Sequence, residues 1–184
     1  YIEEISTLPK SVAPVATAIP AFVGYTQKRE RNGESFTDLR VVRITSLLEY
    51  EEAFGYPFDE EYSVTLSPNG TDPDLTDISI PDLATNSPYN MYYQVQMFFD
   101  NGGGPCHIVS FGTYVESGPS TSDIGVDDLL DGINLLEEED EPTLLLVPEA
   151  VHLSTANRLN IHNALLAQCE KLQDRFAIMD ALSS

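Results

Sequence analysis

The sequence predicts an α/β protein: an open, mostly parallel sheet with helices on both faces, a β-hairpin insertion and an extended N-terminal segment. Three observations carry this. From Ser87 onward, helical and apolar-strand patterns alternate as α-β-α-β-α-β. The strand stretches Cys106–Phe111, Thr143–Val147 and Arg175–Asp180 are largely apolar runs, as strands covered on both faces are. A helix-length segment separates each from the next, as parallel pairing requires.

Taken in order, Tyr1–Ile5 (YIEEI) is short and extended, and Pro9 and Pro14 keep the following stretch from being helical. Ile19–Tyr25 reads as a strand with Pro20 near its start and Gly24 closing it. Gln27–Asp38 is a charged loop holding Lys28, Arg29 and Arg31; such a cluster is ordinarily solvated, and contact with the acidic part of a second copy is the sharper alternative. Leu39–Ile44 is extended. Ser46 then starts a short helix with Glu49 three residues on, a capping box; Leu47, Leu48 and Tyr50 form its apolar side, and Gly55 with Pro57 stops it. Tyr62–Leu66 and Asp77–Ile80 read as two strands joined through a turn at Ser67–Gly70, which also takes in the sequon Asn69-Gly70-Thr71.

Ser87 is expected to cap the next helix, with Pro88 at its first position. Met91, Val95 and Phe98 form its apolar stripe, widened by Tyr92 and Phe99. Asn101-Gly102-Gly103-Gly104-Pro105 ends it. Gly118–Asp123 is a loop. Val126, Leu129, Leu130, Ile133 and Leu136 predict a helix over 126–136, with Asp127 and Asp128 in its favourable first turn. Glu137–Glu141, five consecutive acids, reads as a flexible, water-facing loop. After Thr143–Val147 and Pro148, Ser154 or Thr155 caps a helix to about Lys171, with Leu159, His162, Leu165, Leu166, Cys169 and Leu172 on its buried side.

Net charge is −21 over 184 residues, and it is unevenly placed. Residues 1–50 balance at six basic and six acidic side chains, whereas residues 51–184 carry three basic against 24 acidic. That field repels nucleic acid and anionic membranes, so neither is expected as a direct partner. No apolar run approaches a membrane span. Cys106 and Cys169 lack metal-ligand spacing and read as core thiols of a reducing compartment.

Catalytic patterns are weak. A phosphate loop needs strand, glycines, then helix; at residues 101–105 the order is reversed and no lysine follows, so the glycines read as a corner. Ser110-Phe111-Gly112 is the nearest approach to a nucleophile elbow and lacks the first glycine and the helix. His107, His152 and His162 have no i+4 partner and read as interior or boundary histidines. Asp180 ends a strand, where α/β proteins bind ligands, but stands alone. No catalytic residue, metal ligand or cofactor is assigned; a hydrolase-like or nucleotide-binding domain is the alternative these features leave.

Two stretches, YIEEISTLPKSVAPVATAIPAFVGYT (1–26) and FFDNGGGPCHIVSFG (98–112), resemble the contractile tail sheath family of bacteriophages and related injection systems. RITSLLEYEEAFG (43–55), DEPTLLLVPEA (140–150) and RFAIMD (175–180) fit the same pattern in the family's order. The resemblance implies a structural subunit that stacks helically around an inner tube and contracts to drive the tube through a target membrane. Its partners would be other copies of itself, the tube protein and baseplate proteins. Assembly would occur in the bacterial cytoplasm, the product being part of a phage tail or a released injection particle. Residues 1–18 would be an N-terminal arm and linker, and 19–184 an incomplete α/β core with 56–86 as a hairpin insertion. Tyr1, Ile2, Glu3, Glu4 and Ile5 would form the inter-subunit strand, added to a neighbour's sheet. Family members continue well past the strand at 175–180, so this chain looks like a fragment, and tube contacts are not placed on it. The uneven charge is expected to help copies pair.

Overall fold

The computed structural model describes residues 18–60, 65–69, 72–79, 87–115 and 119–181. The strand expected at Tyr1–Ile5 lies outside them. One five-stranded sheet organises the rest, in the order β4-β7-β1-β8-β9. Strand β1 (Pro20–Thr26) is at its centre, buried along its whole length, with Pro20 at the start where a missing donor costs least. It pairs in parallel with β7 (Cys106–Thr113) on one side and β8 (Leu144–Leu146) on the other. Strand β8 pairs in parallel with the edge strand β9 (Phe176–Ile178), while β4 (Val41–Ile44) closes the opposite edge antiparallel to β7. The mostly parallel sheet predicted from alternation is therefore present.

Side-chain alternation along β1 divides the core into two layers. Phe22 faces helices α1 (Leu47–Phe54) and α2 (Met91–Asp100), packing with Tyr50, Phe54, Met91, Tyr92, Val95, Cys106 and Ile108. Ala21 and Val23 face α3 (Val126–Leu135) and α4 (Thr155–Leu172), with Leu129, Ile133, Leu145, Ile161 and Leu165. Helices thus cover both faces.

Several local expectations needed correcting. Gly24 does not close β1 but lies inside it. The charged loop carries a small hairpin, β2 (Glu30–Arg31) with β3 (Glu34–Ser35). In the insertion, β5 (Thr65–Asn69) and β6 (Asp72–Ser79) form a separate antiparallel pair, so Ser67–Asn69 are strand rather than turn; residues 62–64 and Ile80 of the expected strands lie outside the described residues. On α1 the buried residues are Tyr50 and Phe54, and Leu48 is exposed, because the short helix turns only its i and i+4 positions inward. On α4 the inward positions are Ile161, Leu165 and Gln168, leaving Leu159 and Leu166 exposed; the apolar stripe had been placed a fraction of a turn away. The 101–105 corner behaves as expected: Gly102 takes φ +84°, and the amides of Asn101, Gly102 and Gly103 return to the carbonyls of Met97, Phe99 and Phe98.

Candidate functional site

In an open α/β sheet, ligands sit beyond the carboxyl ends of the strands where neighbouring connections diverge. Here β1 leads towards β7 and β8 towards β9, so the divergence falls between β1 and β8. The chain fills that crevice itself. Immediately after β8, a turn of 3-10 helix at Pro148–His152 carries Glu149, which is fully buried. Its Oε1 accepts the amides of Asn90 (3.3 Å) and Met91 (3.1 Å), the open N–H groups at the start of α2. A carboxylate from another part of the chain therefore caps α2. Ser87, the expected cap, lies before the helix and donates its amide to Glu60 at 2.9 Å. Asn90 Nδ2 meets His152 Nε2 at 2.8 Å, a second tie across the same joint.

Gly24 makes room for this arrangement. A Cβ there would lie 2.1 Å from Glu149 Oε2 and 2.8 Å from Met91 Cε. Burial pushes the Glu149 carboxyl up to about 8, against the opposing pull of nearby backbone amides. Around it stand phenols: Tyr89 stacks on Tyr114 at 4.5 Å, and the Tyr25 hydroxyl donates to Asp128 (2.9 Å) and accepts from the Gly125 amide (2.9 Å). Sequence reasoning missed Glu149. The available signal was an acid inside an otherwise apolar stretch, LLLVPEAV.

The residues considered for chemistry are dispersed. Ser110 is buried within β7, its Oγ 2.7 Å from Thr26 Oγ1, beside a bulge between Gly24 and Thr26; it is an interior strand residue rather than an exposed nucleophile. His107, buried in β7, has its pKa lowered by burial, and its Nε2 lies 3.2 Å from Glu141. Glu141 also takes a two-pronged contact from Arg43 (2.8 and 3.2 Å), the cross-strand neighbour of His107. Glu137 pairs with Lys171, and Glu137 and Glu138 belong to a 3-10 turn. The acidic run is thus anchored at both ends, unlike the free loop expected of it. In the basic cluster Lys28 pairs with Glu30 and Arg29 reaches the carbonyls of Thr37 (3.4 Å) and Ser110 (3.5 Å), while outside it Arg40 pairs with Asp38. Cys106 and Cys169 are free thiols, and burial raises Cys106 to about 12. Among the described residues no group of three or more acidic, histidine or cysteine side chains is placed to hold a metal, and no helix is long and apolar enough to cross a membrane.

What remains open is surface. On the face of α1 and α2, β8 and β9 carry Leu144, Leu146, Phe176 and Ile178 in register with Pro20 and Phe22. Phe176 is 76% and Ile178 52% exposed, and beside them Met97 of α2 is 66% exposed. An apolar hollow lined by Phe22, Met97, Phe98 and Leu146 continues this strip.

No protein-family model and no curated protein matches the chain. Among solved structures, a chain from the cryo-electron microscopy structure of the anti-feeding prophage baseplate in the contracted state is similar at 22% identity and TM-score 0.53, covering 96% of this chain and 37% of that one. The chain shares the fold of the matched part of that component. A chain of the same prophage's helical sheath, also contracted, is similar at 24% identity and TM-score 0.49, covering 100% of this chain and 39% of that one. The chain therefore spans less than two-fifths of the length of either.

Proposed function

We propose that this chain is part of a structural subunit of a contractile sheath, which polymerises helically around an inner tube and contracts to drive it through a target membrane. The observation that carries the reading is the baseplate-chain fold, which extends over 96% of this chain and accompanies motifs in the family's order. Two further features support it. The ligand crevice is closed by Glu149, which leaves little for the hydrolase-like or nucleotide-binding alternative. The apolar strip at β9, with Phe176 and Ile178 exposed, suits a surface that is covered in an assembly.

In this reading residues 1–18 form the arm and linker, 19–184 belong to the α/β core, and 56–86 are its inserted hairpin. Tyr1, Ile2, Glu3, Glu4 and Ile5 add a strand to a neighbouring copy, main-chain hydrogen bonds giving affinity. The partners are further copies, the tube protein and baseplate proteins, within a particle assembled in the bacterial cytoplasm. Contraction needs no catalytic group, only a lattice whose contacts re-pair at lower energy. Electron microscopy of the complete protein tests this: it is expected to form hollow helical tubes, and removal of Tyr1–Ile5 to abolish them. Monodisperse particles from the complete protein under all assembly conditions would refute the sheath reading. Normal tubes from the deletion would refute the donated strand.

A further inference from the structure

The joint between β8 and α2 holds an acid that neither polymerisation nor the crevice's closure requires to be ionisable. Glu149 is fully buried, its Oε1 bridges two amides at the start of α2, and its Oε2 completes no hydrogen bond. We propose that Glu149 is a proton-dependent latch between the turn at Pro148–His152 and helix α2: neutral, it lets the crevice close dry; ionised, it loosens the start of α2 and the Asn90–His152 contact.

The geometry decides which state the closed joint prefers. An ionised carboxylate gains from the N–H groups of Asn90 and Met91, from the nearby amides of Tyr25 and of Glu149 itself, and from the positive end of α2. Against this stands the larger penalty of holding a charge away from water. The titratable groups that feel its charge from the packed elements are Tyr25 on β1, Tyr50 on α1, Tyr89 before α2 and Tyr114 after β7, all of them held neutral by burial. On its own turn stands His152, joined to Asn90 and pushed below 6.5 by burial, which disfavours its charged form too. Gly24 lies against Oε2, and a Cβ there would come within 2.1 Å of it. The unpaired oxygen is fully buried and can carry a proton without displacing a hydrogen bond.

The sign follows from linkage. Because the folded carboxyl sits near 8 rather than its ordinary 4.5, the stabilisation is complete below the ordinary value and is lost as pH rises through the folded one. Burial holds His152 below 6.5, so its own charge change lies on the acid side of the folded carboxyl's transition. Thermal melts of the 184-residue chain between about pH 6 and about pH 9 test the latch, with melting temperature expected to fall by roughly 5 °C or more. Glu149→Gln, which cannot ionise, should flatten that slope. Parallel slopes in the two proteins would overturn the proposal. Should Glu149→Gln not fold, carbon-13 NMR of the Glu149 carboxyl in the unaltered chain decides instead. A midpoint near 8, with the protection factor of the Met91 amide falling above it after correction for intrinsic base catalysis, supports the latch; a midpoint in the ordinary carboxyl range, or unchanged protection at Met91, overturns it. The inference is independent of the sheath reading, because every measurement is made on the isolated chain.

Discussion

Helices α4 and α2 begin in opposite ways. Helix α4 is capped by its own sequence: Ser154 Oγ accepts the Asn157 amide at 3.3 Å. Helix α1 does the same, with Ser46 accepting from Glu49 while the Glu49 carboxylate takes the Thr45 amide. Helix α2 has no side-chain cap of its own and borrows Glu149 from beyond β8. The helix ends repeat the contrast. Helix α1 stops at Gly55 with φ +83°, and α4 at Gln173 in the left-handed conformation. Past α3, the carbonyls of Leu136 and Glu139 instead receive the buried Arg175 guanidinium, each at 2.8 Å. Local caps stabilise one helix. Borrowed caps make a helix end conditional on the rest of the fold, and they occupy the seams between α2 and the β8 turn and between α3 and β9.

If that distinction holds, damage to borrowed caps should be large and should show coupling across the seam. The largest effect is expected from Gly24→Ala, whose methyl would drive Glu149 off the α2 amides: a loss of about 3 kcal/mol or more by denaturant unfolding. In a Glu149→Ala background the same change should cost much less, and a double-mutant cycle that came out additive would break the comparison. Next is Arg175→Leu, expected to cost about 2–3 kcal/mol because two interior carbonyls lose a charged donor; local amide exchange should rise at Leu136–Glu139 rather than along β9. The smallest is Ser154→Ala, about 1 kcal/mol, confined to the first turn of α4.

The same contrast explains what was legible in advance. Strand runs, helix periodicity and the Asn101–Pro105 corner are encoded by neighbours, and the α/β class with a mostly parallel sheet follows from them. Ser46 and Ser154 were readable as caps because donor and acceptor lie within one turn. Ser87 resembled a cap equally well and is not one, since the position was taken by a residue 58 places after Met91. The inward face of α4 was misplaced because its apolar residues do not form a single stripe: Leu159 and Leu166 are on the surface while Gln168 is inside, its amide donating to the Ile133 carbonyl at 2.7 Å. The proposed donation of Tyr1–Ile5 rests on family resemblance, because pairing with another copy leaves no clear mark in a single sequence.

One consequence of the strand order reaches back to synthesis. The middle strand is made before both of its partners, since Ala21 pairs with His107 and Leu145. Until then a largely apolar strand lacks both of these neighbours, and β4 cannot take their place because β7 must be inserted between it and β1. The nascent protein therefore passes a long interval in which its future centre needs shielding by a chaperone or the ribosome surface, and slowing translation before residue 106 should raise the yield of misfolded chains.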